Sequence, residues 1–468
     1  MRATSNVAGR AATLALFGVS IVMAQPASTP ESVEGRWDAS LISRGTAIPF
    51  RLDISGSGAA LKGTFFDGFK PNDGTSSATY QDGRLVLRLD QYQTTITATL
   101  KDGQLTGSEV VKSRVTGVPD AVSGFQATRH VEAPTQAVEA PSIGGFWEIP
   151  LDTPSVKGEN AFRFVVQQNG PEVAASILRV DGDTGAYSGT YKDGKWVLSH
   201  FDGGRPGVIV VTPKQDGTIE IIQTGALARA RAASAKRTDG GRAALRPVGD
   251  DGEAPESGRY APTLIAYRSE VARAKGLPEP DDFDTHTTIR DPNEKFTFNF
   301  PDADGKPVSN EDPRFKGKVV LAIVTGTWCA NCHDEAQFLV QLDKKYRDRG
   351  LAIVALDFEE PEQQGNLERQ RAFVKHYGVQ YTYLVAGAPA QMWEKVPQAV
   401  NLNSWPTTIF VGRDGLVKGI HTGFASPASG EYNNQLKEEF TAKIEKLLAE
   451  RPGQAPAGTT AAVVEPGR

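Results

Sequence analysis

Two cysteines, Cys329 and Cys332, stand in Cys-x-x-Cys spacing and are the only ones in the 468-residue chain. Two thiols at this spacing can close a disulfide and reopen it by thiolate attack, so the pattern points to thiol-disulfide exchange. An apolar run of strand length, Val319 to Val324, leads into them through Thr325-Gly326-Thr327-Trp328. After them Ala336, Leu339, Leu342 and Tyr346 recur at a helical period, and Gly350 stands where that helix should stop. The pair therefore sits where a buried strand turns into a helix. Cys329 falls at the helix's positive end, where free backbone N–H groups and the macrodipole favour a thiolate.

Other chemistries compete for the same residues. Cys329-Ala330-Asn331-Cys332-His333 matches a Cys-x-x-Cys-His haem-attachment pattern, with Met392 as a conceivable second axial ligand. A strand feeding straight into the motif and a βα alternation after it argue against that reading. A zinc site would need His333 or His421 beside the thiolates and lacks a second close ligand pair. A peroxidase of the peroxiredoxin kind needs Thr three residues before the reactive cysteine, where Gly326 stands. The expectation is no metal and no bound cofactor. His130, His200, His286 and His376 are scattered and read as structural or surface residues.

Composition narrows the setting. The net charge is −5 with no basic block, so nothing points to nucleic acid. Arg2 and Arg10 precede or flank an apolar run from Ala11 to Met23, and Val22-Met23-Ala24 offers a small-residue cleavage site. Residues 1–24 thus read as a signal peptide, and the expected location is the periplasm, with a soluble mature chain. No later segment is apolar enough to cross a membrane. In an oxidising compartment two cysteines make no structural framework, so the pair is kept for its chemistry.

The elements that position the cysteines follow from patterning. Between residues 32 and 236 the chain is organised by turns and short alternating runs, in two copies of one pattern. Gly35-Arg36-Trp37 recurs as Gly145-Phe146-Trp147, and Phe50-Arg51-Leu52 as Phe162-Arg163-Phe164. Tyr80-Gln81-Asp82-Gly83 recurs as Tyr191-Lys192-Asp193-Gly194, and Asp102-Gly103 as Asp216-Gly217. Asp-Gly between alternating runs is a hairpin signal, so each copy reads as an antiparallel meander. Together they make tandem small barrels or one joint sandwich, as repeat 1 (25–135) and repeat 2 (136–236). Trp37, Trp147 and Trp196 read as core residues. Gly-x-Trp also opens lipocalin-type barrels, a resemblance carried by three residues.

Residues 237–295 read as a linker holding one helix, from Arg259 to Gly276. Phe296, Phe298 and Phe300 then alternate as in a strand turned back by Asp302-Ala303-Asp304-Gly305. Beyond the cysteines come a strand (351–358), a helix (367–378), a strand (379–385), a helical stretch (389–400), a hairpin (407–411 and 416–424) and a terminal helix (430–450). This alternation implies a mixed sheet covered on both faces. The tail 451–468 is Pro-, Gly- and Ala-rich and reads as disordered.

Residues 296–450 resemble TlpA-like thiol-disulfide oxidoreductases, a branch of the thioredoxin superfamily. The resemblance rests on Gly317-Lys318-Val319-Val320, Trp328-Cys329-x-x-Cys332, Glu335, and Trp405-Pro406-Thr407 before an apolar strand. It implies an α/β thioredoxin-like fold behind the all-β front half, and a redox-active Cys329–Cys332 disulfide. The family often carries Pro between the cysteines, where this chain has Ala330-Asn331, and Ile323 stands where thioredoxin has a buried Asp. TlpA-like members instead place a carboxylate after the second cysteine, as Glu335 does.

On this reading Cys329 attacks a substrate disulfide and Cys332 resolves the mixed disulfide. Glu335, one turn after Cys332, is placed to take its proton. Trp328 shields the pair, Pro406 follows a cis peptide bond, and the backbone of Trp405-Pro406 pairs with an extended substrate segment. Asp334 and Glu335 add negative charge near Cys329, which leans the couple toward a disulfide reductase. The implied partners are protein substrates bearing disulfides and a membrane-bound thiol donor. The non-enzymatic alternative, a β-domain binding module on a thioredoxin scaffold, leaves an intact Cys-x-x-Cys unexplained.

Overall fold

Short antiparallel strands fill the first half of the chain, in a computed structural model that describes residues 32–132, 139–224, 263–363 and 365–450. The expected signal peptide (1–24), residues 237–262 of the expected linker and the tail (451–468) lie outside the described residues. The described residues from Val33 to Glu450 belong to one compact unit.

The first sheet contains β1 (Gly35–Ser43), β2 (Thr46–Ser55), β3 (Lys62–Asp67), β4 (Lys70–Gly74), β5 (Ser77–Gln81), β6 (Arg84–Leu89), β7 (Thr94–Lys101), β8 (Gln104–Val111) and β9 (Ala121–Arg129). Its order is β4-β3-β2-β1-β9-β8-β7-β6-β5, so the meander is joined through β1 and β9 and open between β4 and β5. The second contains β10 (Gly145–Pro150), β11 (Ala161–Asn169), β12 (Glu172–Arg179), β13 (Gly182–Asp183), β14 (Tyr187–Lys192), β15 (Lys195–His200), β16 (Gly207–Pro213), β17 (Ile219–Thr224) and β18 (Thr263–Arg268). Here β11 pairs with both β10 and β12, which closes an eight-stranded barrel with β13 appended to β12. The tandem reading thus resolves into a half-barrel and a closed barrel. Asp82-Gly83, Asp102-Gly103 and Asp193-Gly194 all hold positive φ at both residues, the two-residue hairpin geometry their sequences predict.

The repeat extends to side chains. The indole N–H of Trp37 donates to the Val33 carbonyl, and that of Trp147 to the Ile143 carbonyl, both at 2.9 Å. Arg129 on β9 lies over Trp37 at 4.2 Å, and Arg268 on β18 over Trp147 at 4.1 Å. Trp147, Phe164, Tyr187 and Trp196 fill the closed barrel as core. The half-barrel borrows part of its core from its neighbour: Phe201 packs edge-on against Phe50 (4.7 Å) and Phe65 (5.5 Å).

Two expectations need correction. The single helix expected over 259–276 divides into strand β18 and a short helix α1 (Ser269–Ala274). Leu264 and Ala266 are buried while Ile265 and Tyr267 are half-buried, a period of two that fits the slot between β10 and β17. The helical stretch expected over 389–400 shrinks to Met392–Lys395 after one tight turn, and Ala399–Val400 pairs with Thr288–Ile289.

The second half builds a five-stranded sheet from β19 (Val319–Thr325), β20 (Leu351–Phe358), β21 (Thr382–Gly387), β22 (Thr407–Val411) and β23 (Val417–Thr422), in the order β21-β20-β19-β22-β23. The first three are parallel, and β22 and β23 run antiparallel. Every residue of β19 is buried, as its unbroken apolar run requires of a strand covered on both sides. Val319, Leu321 and Ile323 meet α2 (Ala330–Tyr346) and α4 (Glu431–Ala449), while Val320, Ala322 and Val324 meet Phe298, Phe315 and Leu356 on the other face. A third helix, α3 (Glu368–Tyr377), follows β20.

On β15, Trp196 is buried in the barrel while Val197 is 49% exposed. Trp196→Ala should cost about 3–5 kcal/mol by urea unfolding, and Val197→Ala no more than about 0.5 kcal/mol. Equal losses would mean that β15 does not hold this register.

Candidate functional site

Helix α2 starts directly after Cys329, which is its N-cap. Cys329 and Cys332 are joined as a disulfide, with their Cα atoms 5.3 Å apart. The Cys332 backbone N–H points at the Cys329 sulfur at 3.2 Å. The same N–H also donates to the Cys329 carbonyl at 3.1 Å, so it is shared between that oxygen and the sulfur, and the helix dipole adds to its pull on a sulfur that takes up charge. Cys329 is 7% exposed and Cys332 2%, so the first is the less buried cysteine.

The turn before β22 completes the pocket. The Trp405–Pro406 peptide is cis, and the Trp405 carbonyl oxygen lies 3.5 Å from the Cys329 sulfur. Trp328 stands edge-on to Trp405 at 5.1 Å and donates its indole N–H to the Phe358 carbonyl at 2.8 Å. Cys329, Cys332, Trp328, Trp405 and Pro406, far apart in sequence in part, are thus brought together. The buried indole N–H of Trp405 has no hydrogen-bond partner among the described residues.

Glu335 lies one turn beyond Cys332 and is 1% exposed. Its Oε1 accepts the Thr408 hydroxyl at 2.6 Å. Thr408 pairs across the sheet with Ile323, so the carboxyl enters from the helix at the place where the strand itself carries an apolar side chain. Burial pushes Glu335 up to about 8, with the Thr408 hydrogen bond pulling weakly the other way. A carboxyl that is neutral at pH 7 and one turn from Cys332 can exchange a proton there.

The loop entering the site is held by charges that sequence reasoning missed. Buried Glu359 accepts the Thr327 N–H at 3.0 Å and also its hydroxyl, and Arg369 donates to Glu359 (2.8 Å) and to Thr327 Oγ1 (3.0 Å). The Glu359-Glu360-Pro361-Glu362 run reads locally as a solvated face, so only the fold reveals that Arg369 meets it. Asp334 is a second surprise. It accepts from Arg205 of the closed barrel at 3.0 Å, and burial pushes it up to about 8 against the pull of that guanidinium. Arg205 also binds Asp202 at 2.8 Å, and with His200 it holds that carboxyl well below its usual range despite burial.

His333 has neither ring nitrogen turned to an open coordination position. Nε2 lies 2.8 Å from the Thr327 carbonyl and must carry its proton there, and Nδ1 lies 3.0 Å from the Tyr377 hydroxyl. The ring stacks on Tyr92 at 4.3 Å and meets Phe373 edge-on. Met392 is buried in the core, and His421 on β23 is hydrogen-bonded to Asp284 at 2.8 Å. The haem and zinc readings find no support in this arrangement.

A mixed sheet with Cys-x-x-Cys at the start of the helix after its central strand, facing a cis-proline turn, defines a thioredoxin-like redox protein. The model of the AhpC/TSA family matches residues 291–420. The chain is 32% identical over 127 residues to the thioredoxin-like protein YneN of Bacillus subtilis, covering 26% of this chain and 69% of that one. It is 28% identical over 149 residues to the thiol-disulfide oxidoreductase ResA of Bacillus thuringiensis, covering 31% of this chain and 74% of that one. A solved thiol:disulfide interchange protein of the thioredoxin family, from Chlorobium tepidum, matches at 23% identity with a TM-score of 0.26, over 34% of this chain and 99% of that one. The chain belongs to the thioredoxin-like thiol-disulfide oxidoreductases, with a β-rich region in front.

Because Glu335 in the folded chain keeps its proton to about 8 rather than 4.5, the unfolded chain binds fewer protons between those values. Its contribution therefore makes stability fall as pH rises through that window. Glu335→Gln should remove that part of the slope in urea unfolding measured from acidic to mildly basic pH. A difference between variant and parent that does not change with pH would contradict the buried neutral carboxyl.

Proposed function

We propose that this thiol-disulfide oxidoreductase is an exported disulfide reductase acting on protein substrates. The observation that carries the reading is the Cys329 sulfur set between the first amides of α2 and the turn at cis Pro406. In the reduced enzyme the Cys329 thiolate attacks one sulfur of a substrate disulfide, forming a mixed disulfide and expelling the other sulfur as a thiolate. In the fraction of molecules whose Glu335 is ionised, its carboxylate takes the proton from Cys332, and the Cys332 sulfur attacks Cys329 and releases the second substrate sulfur as a thiolate. The substrate gains two electrons, the Cys329–Cys332 pair loses them, and a membrane-bound dithiol donor restores the pair. Trp328, Trp405 and Pro406 hold the substrate segment, whose main chain pairs beside the proline.

The direction rests on what surrounds the sulfur. Strong disulfide oxidants owe their potential to a heavily stabilised thiolate. Burial leaves Glu335 neutral at pH 7, and Arg205 faces Asp334, so the acidic first turn repels Cys329 less than its sequence implies. The Trp405 carbonyl, however, accepts from a thiol and disfavours an anion at 3.5 Å. This supports a modest thiolate and a reducing couple. Export rests on the N-terminal segment, and among the described residues no helix is long and apolar enough to cross a membrane.

Equilibration with glutathione redox buffers should place the couple nearer about −270 mV than about −120 mV, and Cys329→Ser should abolish exchange. A potential above about −150 mV would make the protein an oxidant and reverse the proposed direction.

A further inference from the structure

The closed barrel grips three segments of the thioredoxin-like half: the start of α2 and the turn before cis Pro406, both of which touch the Cys329 sulfur, and the loop after β23. At the start of α2, the Asn331 side chain donates to the Asp181 carbonyl at 2.8 Å and accepts from Arg205 at 3.3 Å. In the turn leading to cis Pro406, Asn403 donates to the Lys157 carbonyl at 3.2 Å. After β23, the Asp183 carboxylate accepts from the Ser426 N–H (2.7 Å), the Ser426 hydroxyl (2.9 Å) and the Ser429 hydroxyl (2.6 Å). Gly182 forms a parallel bridge with Phe424 beside them. The joint has no spare room. A Cβ on Gly182 would lie 2.7 Å from the Asn331 amide nitrogen, and one on Gly423 2.7 Å from the Asp181 carbonyl carbon.

Exchange requires a substrate sulfur to come within about 3–3.5 Å of Cys329 in good alignment. The loops that would receive a bulky substrate are here occupied by residues 157 and 181–183 of the same chain. We propose that the closed barrel is a specificity filter on the thiol chemistry. Docked, it admits disulfides carried by small molecules or thin extended segments. A disulfide on a folded protein surface reaches Cys329 only in the fraction of molecules whose barrel loops have released, and its rate scales with that fraction. The inference rests on the exchange activity proposed above and adds the substrate class that the site takes.

The full-length reduced protein can be assayed with glutathione disulfide and with insulin, as parent, Asp183→Ala and Gly182→Ala. Removing the carboxylate or wedging the joint should raise the insulin rate about tenfold while the glutathione disulfide rate stays within about twofold. An insulin rate that stays level or falls, with the small-disulfide rate retained, overturns the filter. Failure of the parent to reduce either disulfide would overturn the proposed activity instead, a separate result. Should the variants lose their cooperative melt, the parent alone decides through labelling of its reduced form. Relative to free glutathione, Cys329 should then react at least about tenfold more slowly with a maleimide bearing a polyethylene glycol chain than with iodoacetamide. Equal relative rates would overturn the filter.

Discussion

The backbone N–H of Cys332 aimed at the sulfur of Cys329 is the contact around which the rest of the molecule is arranged. It exists because Cys329 is the N-cap of α2, which leaves the Cys332 N–H shared between the Cys329 carbonyl at 3.1 Å and the Cys329 sulfur. It stays in place because β19 is buried along its whole length, so the strand cannot slip relative to the helix that follows. The connecting residues are fixed as well: Glu359 binds Thr327 through both backbone and hydroxyl, and Trp328 is anchored to the Phe358 carbonyl. The sulfur that must carry charge therefore meets a preformed dipole, with little left to reorganise.

Around that contact the charges are deployed by burial rather than by exposure. Glu335 reaches the level of Ile323 from the helix and accepts the Thr408 hydroxyl, so its proton is retained one turn from Cys332. Asp334, its neighbour, is turned instead to Arg205 in the barrel. Two adjacent acids on one turn thus serve different ends, one toward the sulfur chemistry and one toward the joint with the β-rich half. That joint makes the barrel part of the redox centre's surroundings and not a passenger on the same chain.

The legible part of the fold was the part written in local periodicity. The Val319–Val324 run, the helix after it and the Asp-Gly hairpins each announce themselves within a dozen residues, and the structure places them as read. Strand β18 was hidden because its partners β10 and β17 lie far before it, and its six residues run straight into α1. A signal was nevertheless present: Phe125-Gln126-Ala127-Thr128-Arg129 ends the first repeat, and Leu264-Ile265-Ala266-Tyr267-Arg268 ends the second. The cysteines, Glu335 and the Trp405-Pro406 turn could be named from motif spacing. Asn331, Asp183 and Arg205 could not, since their roles depend on contacts spanning 126 to 246 residues of sequence.

Everything proposed for the exchange depends on Cys329 being the sulfur that takes the charge. The most direct measurement is alkylation of the fully reduced protein with limiting iodoacetamide at moderately acidic pH, followed by mass spectrometry of the peptide carrying both cysteines. The helix-start geometry predicts label on Cys329 well before Cys332. Label appearing first on Cys332 would contradict it, and with it the assignment of which cysteine attacks and which resolves.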